Sequence, residues 1–416
     1  MDLKSRLSRL QQHTSAPAPS AGSPGVHTEL RQRLAQLHPR RVQVAPAVSR
    51  RRLSPEALAI ALDGETLTDG LIRIRRRVPL DGRLGRVELR SLHHTPELPG
   101  ETGHTGRRHV YLDTETTGLA GGSGTLAFLV GVVWLDDDAL TLTQFLLTRF
   151  AAEAALLEAF ADTLVTNDRL VSYNGKSYDL PLLLTRFRMQ ARSHALEAHP
   201  HLDLLHPVRR LFGSRWRDCR LTTLERELLG FSRVDDLPGS EAPAAWFDYV
   251  RGGEAAQLMR VVEHNRQDII SLAVAHHALP RAIAQPLACG VDLPALARWL
   301  GGYDEAAARG LLERHVDSLG NDGRRLLGHY CRRDGDWTRA AAIWEALAAG
   351  GCTDSMERLA KYHEHISRDL VAASKYCESL PAGAAREHRR RRIARKIKQQ
   401  MPLDCVRNPE DSRPDP

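Results

Sequence analysis

The octapeptide Tyr111–Gly118, YLDTETTG, closes an apolar run that begins at His109. In an extended strand alternate side chains leave by the same face, so Asp113 and Glu115, two apart, project together. Two carboxylates at the end of an apolar strand are costly to hold unless a positive charge satisfies them. A divalent cation would do so, and hard ions such as Mg²⁺ and Mn²⁺ take carboxylate, carbonyl and water oxygens.

Outward from this stretch the pattern is of a mixed α/β domain. HVYLDTE, TLAFLVGVVWL and LTLTQFLL read as three strands, the last two joined at the solvated acidic turn Asp136-Asp137-Asp138. AAEAALLEAFADTL carries apolar residues at helical spacing, RLVSYNG is a further strand, and DLPLLLTRFRMQ is a helix opened by Asp and Pro. Three strands, helix, strand, helix is the order of a ribonuclease-H-like sheet, here expected to be mixed and five-stranded with flanking helices. More helices are predicted at LTTLERELLG and over Glu254–Ala278. In HPHLDLLHPVRRL, Asp203 is read as a helix cap, and His201 and His206 offer no metal-ligand spacing.

The segment VYLDTETTGLAGGSGTLAFLVGV resembles the first motif of the DEDD (DnaQ-like) exonuclease superfamily, and its GGSGTLAFLVGV part is similar to the bacterial YprB-type branch. S172-Y-N-G-K-S-Y-D-L-P181 is similar to the second motif, NGxxFDxP, and makes Asp179 the third carboxylate. H264-N-R-Q-D-I-I-S-L272 supplies the last, Asp268. The resemblance implies a 3′–5′ exonuclease acting through two ions, Mg²⁺ or Mn²⁺, held by Asp113, Glu115, Asp179 and Asp268. One departure is visible: the superfamily places a His five residues before the last Asp or a Tyr four before it, whereas His264 stands four before Asp268 and Glu263 five before. On a helix that spacing leaves His264 and Asp268 on one face, so His264 is a candidate to orient or deprotonate water. Beside the second motif, Asn174 and Lys176 are candidates for sugar or phosphate contact, with Gly175 allowing close backbone approach. The family also places the backbone around Thr116 against the terminal nucleotide.

The chain has 416 residues, 42% of them hydrophobic, enough for two or three domains. Its formal charge is +7, nearly all from arginine, which favours a polyanionic partner such as a DNA or RNA 3′ end. No apolar run of about 20 residues and no signal-peptide core occur, which points to the cytoplasm and away from a membrane. Six scattered cysteines form neither a zinc motif nor a disulfide framework.

The expected organisation is a flexible segment over 1–60, rich in Ser, Ala, Pro and Gly at 13–27, then a basic hairpin or linker over 61–106. That hairpin is read around the LDG turn at 80–82, with Arg73, Arg75, Arg76 and Arg77 on one arm. The ribonuclease-H-like domain follows over 107–282, helical tetratricopeptide-like repeats over 283–400, and a disordered tail over 401–416. The repeats are read from YDEAA at 303–307, WTRAA at 337–341 and LVAAS at 370–374, and are a possible docking surface for a protein. The run REHRRRRIARKIK at 386–398 forms a basic amphipathic helix, suited to phosphate backbone or to capping the array. Besides the exonuclease, two other readings are open: a binding scaffold with a vestigial nuclease domain, and an endonuclease on the same fold.

Overall fold

The computed structural model describes residues 53–101, 107–118, 124–192 and 196–400. The flexible segment and the C-terminal tail expected from sequence lie outside these residues, except for 53–60, where the expectation fails. Pro55–Ala61 is a helix, α1, capped by Ser54 and started by Pro55.

The strands are β1 (Gly64–Thr68), β2 (Leu71–Pro79), the two-residue β3 (Arg83–Leu84) and β4 (Val87–Glu88), β5 (His109–Thr116), β6 (Ala127–Leu135), β7 (Ala139–Leu147), β8 (Arg169–Ser172) and β9 (His201–Asp203). Seven of them form one mixed sheet in the order β1-β2-β7-β6-β5-β8-β9. Strands β5, β8 and β9 run parallel and the rest antiparallel. The five strands expected from sequence run from β7 to the β9 edge, and β1 and β2 enlarge the sheet beyond β7. The second half of the expected hairpin does not pair with the first. Instead β2 lies along all of β7, from Leu71 opposite Leu147 to Pro79 opposite Ala139, and the LDG turn leads into the small β3-β4 pair. Ile72 and Ile74 on one face of β2 and Leu71 on the other are buried, and β7 offers a long apolar partner. Of its arginines, Arg73 pairs with Glu65 and Arg77 with Asp138, while Arg76 donates to the Leu62 carbonyl.

The helices are α2 (Glu153–Ala161), α3 (Asp179–Met189), α4 (Leu205–Phe212), α5 (Leu221–Leu224, continued by a π turn to Leu229), α6 (Ala242–Val250) and α7 (Ala256–Ala284). One core packs α2, α3, α6 and the first half of α7 on the sheet, through Val110, Leu112, Phe128, Phe160, Trp246 and Leu258. The other begins with Tyr111, Val133 and Leu142, includes the second half of α7, and runs without a break into the C-terminal helices through Leu296, Leu312, Leu327 and Trp344.

Those helices are α8 (Leu293–Gly301), α9 (Glu305–Arg314), α10 (Asn321–Arg333), α11 (Trp337–Ala349), α12 (Thr353–His365), α13 (Leu370–Glu378) and α14 (Ala384–Gln400). They pack as successive hairpins, α8 on α9, α10 on α11 and α12 on α13. The second helix of each hairpin starts at one of the three similar stretches and is capped alike. Asp304, Asp336 and Asp369 accept from the backbone N–H three residues on, at 2.9, 3.2 and 2.9 Å.

Candidate active site

Strand β5 carries Asp113 and Glu115 on the face shared with Tyr111, opposite Gly131 and Leu129 of β6. Asp179 is the first residue of α3, brought back to the end of β5 by the turn after β8, and the Thr114 hydroxyl donates to its Oδ1. Asp268 lies in α7, one turn after His264. Three elements far apart in sequence thus carry four carboxylates to one place, where they act on one another electrically. Burial pushes the Asp113 carboxyl well above the usual range, and Asp268, Asp179 and Glu115 push it further. Burial does the same to Glu115, with Asp268, Asp179 and Asp236 adding to it and Arg233 opposing. Asp179 is raised to about 6, again by burial first, against the hydrogen bond from Thr114.

The turn of the second motif is braced from below. Asp203, 1% exposed, accepts from the backbone N–H of Asn174 (2.7 Å), Lys176 (3.1 Å) and Leu205 (3.0 Å). It therefore caps the turn as well as α4. Asn174 has φ +68°, and a side chain at Gly175 would press against Ser172 and Asp179, with a Cβ 2.4 Å from the Ser172 hydroxyl. Thr116, Asn174, Asp113, Thr114, Asp179 and the exposed Tyr178 are among the lining of a cavity of about 620 Å³ at the end of β5. Lys176 is exposed and its side chain is not part of that lining.

Four polar residues that the sequence did not single out complete the site. Asn265, fully buried, donates through Nδ2 to Asp113 Oδ2 at 2.8 Å and to the Asp113 carbonyl at 3.2 Å. Its Oδ1 accepts from Gln144 Nε2 at 2.8 Å, and the same Nε2 donates to the Val262 carbonyl. This chain needs Gly131, because a Cβ there would stand 2.0 Å from Asn265 Oδ1. In the loop after α5, Arg233 is buried between Glu225, Asp236 and Asp268 and forms ion pairs with all three. Asp236 Oδ1 lies 2.7 Å and Arg233 Nη1 3.4 Å from His264 Nδ1, and His264 Nε2 is 3.5 Å from Asp268 Oδ2. A buried Gln in an apolar strand, and an Asn three residues before Asp268 on one helical face, were the available signals for Gln144 and Asn265. Arg233 and Asp236 sit in an irregular loop and gave none.

Among the described residues no three Asp, Glu, His or Cys side chains are already drawn together tightly enough to hold an ion alone. The described cysteines are all free. No helix among the described residues is long and apolar enough to cross a membrane.

This geometry belongs to a recognised class: residues 110–278 match the family model described as the RNase_H superfamily. The chain is 32% identical over 295 residues to YprB of Bacillus subtilis (strain 168), covering 68% of this chain and 71% of that one. It belongs to the YprB family, with an RNase-H-like domain followed by a helix-rich C-terminal region. A family B DNA polymerase from the hyperthermophilic archaeon Pyrobaculum calidifontis matches 47% of the chain at 14% identity and a TM-score of 0.35, over 28% of its own length. So low a likeness carries no argument.

Proposed function

We propose that the chain is a metal-dependent nuclease that removes nucleotides from the 3′ end of single-stranded or 3′-ended nucleic acid. The observation that carries the reading is the convergence of Asp113, Glu115, Asp179 and Asp268, whose mutual repulsion a divalent cation would relieve. The donor set fits such a cation: all four ligands are hard carboxylates, and Asn265 occupies Asp113 Oδ2 while leaving Oδ1 free for an ion. Two Mg²⁺ or Mn²⁺ ions, when bound, would activate water and neutralise charge on the leaving oxygen. Substrate phosphate and water would complete their coordination.

The remaining roles fall to this chain's own groups. Asp236 holds His264 with Nε2 turned to the carboxylates, where it takes the proton of the attacking water. The cavity beside Asp113 and Asp179 receives the terminal nucleotide, with Thr116 and Asn174 on its wall. The helical hairpins are read as tetratricopeptide-like repeats, and they present a surface for a protein partner.

The test compares end-labelled linear and circular single-stranded oligonucleotides in Mg²⁺, in Mn²⁺ and in excess chelator. Stepwise loss from the 3′ end of the linear strand, in metal only, is the expected result. Cleavage of the circle would make the enzyme an endonuclease, and robust cleavage in chelator would remove the ions from the mechanism.

A further inference from the structure

Helix α14 holds eight Lys and Arg between Arg386 and Lys398, and the fold divides them into two rows. The inner row already has partners within the protein. Glu364 of α12, 3% exposed, accepts from Nε and Nη2 of Arg392 at 2.6 Å each and from Lys396 at 3.0 Å, while Glu357 accepts from Arg389 at 3.1 Å. Arg390 pairs with Glu387, and Arg386 donates to the Leu380 carbonyl. The outer row is Arg391, Arg395 and Lys398, all exposed, with no ion pair among the described residues. Their spacing of four and then three puts them on one face of the helix. Like charges so placed weaken a helix, and here the protein supplies no counter-charge for them. At 1.5 Å rise per residue the row is about 10 Å long, the span of roughly three nucleotides in a duplex strand.

We propose that this outer row is a landing surface for the phosphate backbone of nucleic acid. The choice of polyanion rests on the nuclease reading. The apolar residues of the helix support it, because Ile393 is buried and Ile397 packs inward beside it, leaving no apolar outer face to enter a membrane. Contacts of this kind are to phosphate, so binding there is indifferent to base sequence.

The experiment measures binding of a labelled 20-nucleotide single strand to the full chain in chelator, over a series of salt concentrations. The triple variant Arg391→Gln, Arg395→Gln, Lys398→Gln is compared with a control that removes the same charge from ion-paired sites, Arg298→Gln, Arg325→Gln, Arg333→Gln. Three lost phosphate contacts make the plot of log affinity against log salt shallower by about 2. The expected result is that shift in the first variant and the wild-type slope in the control. A slope unchanged in the first variant, or lowered equally in both, overturns the proposal. The nuclease reading fails separately: a chain that cleaves nothing but shows the slope shift loses its enzymatic role and keeps this surface.

Discussion

The carboxylate cluster at the end of β5 and Glu364 under α14 are both buried acids, and their charges are handled in opposite ways. At the cluster, burial drives Asp113, Glu115 and Asp179 toward the protonated form and neighbouring carboxylates push them further, with Arg233 opposing at Glu115. At Glu364, burial pushes the same way, but hydrogen bonds from Arg392 and Lys396 outweigh it and hold the carboxyl at about 2. One site is completed by the chain's own cations and the other is left short of them. Burial costs a carboxylate in either case, and what decides the outcome is whether a partner charge is supplied from within.

That contrast can be broken most directly at the cluster. Asp113→Asn or Asp179→Asn should lower turnover on a linear oligonucleotide by several orders of magnitude, while the melting temperature of the metal-free protein holds or rises, since each removes a repelling charge. A marked loss of metal-free stability in both would mean the carboxylates are structural. His264→Ala should cost about 10²–10⁴-fold in kcat with metal binding kept, as for a lost proton acceptor. Near-native kcat would reduce His264 to a helix residue that happens to face the site.

Smaller effects sharpen the comparison. Asn265→Ala should weaken Mn²⁺ binding, followed by calorimetry, by about 10–100-fold, because Asp113 loses the donor that fixes its orientation. Unchanged affinity would show that Asp113 needs no such support. Glu364→Gln should cost about 2 kcal/mol in chemical denaturation, less than for a fully enclosed pair because Arg392 and Lys396 can turn to water. The two acids should also answer pH in opposite directions. Asp179, raised in the fold from 3.8 to about 6, opposes folding above that range, and its penalty fades as pH falls from about 6 to about 4. Glu364, lowered from 4.5 to about 2, supports folding above about 4.5 and loses that support as pH falls toward 2. Hence the stability gained by Asp179→Asn should vanish near pH 4, where the penalty of Glu364→Gln is still close to its neutral value. Parallel pH profiles for the two variants would defeat the distinction.

The sequence singled out the four candidate carboxylates and not the polar residues packed around them. Asp113 and Glu115 announce themselves by parity on an apolar strand, Asp179 and Asp268 by motif, and each of these signals is local. Asn265 is in the quoted motif but acquires meaning only where α7 crosses β6 at Gly131, a contact across more than a hundred residues. Arg233 and Asp236 depend on how a loop closes over α7, for which no periodicity exists. The sheet was undercounted for a similar reason: β2 pairs with β1 and β7 rather than with the segment after the LDG turn, and pairing partners are not written in alternation alone. In α14 the basic helix was readable, but the split into a clamped row and a free row required Glu364, which lies two helices earlier in the chain.

Helix α7 has a consequence for the order in which this protein is made. It bears His264, Asn265 and Asp268 and contributes to both cores, so neither core nor site can close before it exists. Asp268 leaves the ribosome 155 residues after Asp113, about 8–30 s later at ordinary elongation rates. Through that interval the nascent chain carries Asp113 and Glu115, and later Asp179, without the long helix that bears Asp268.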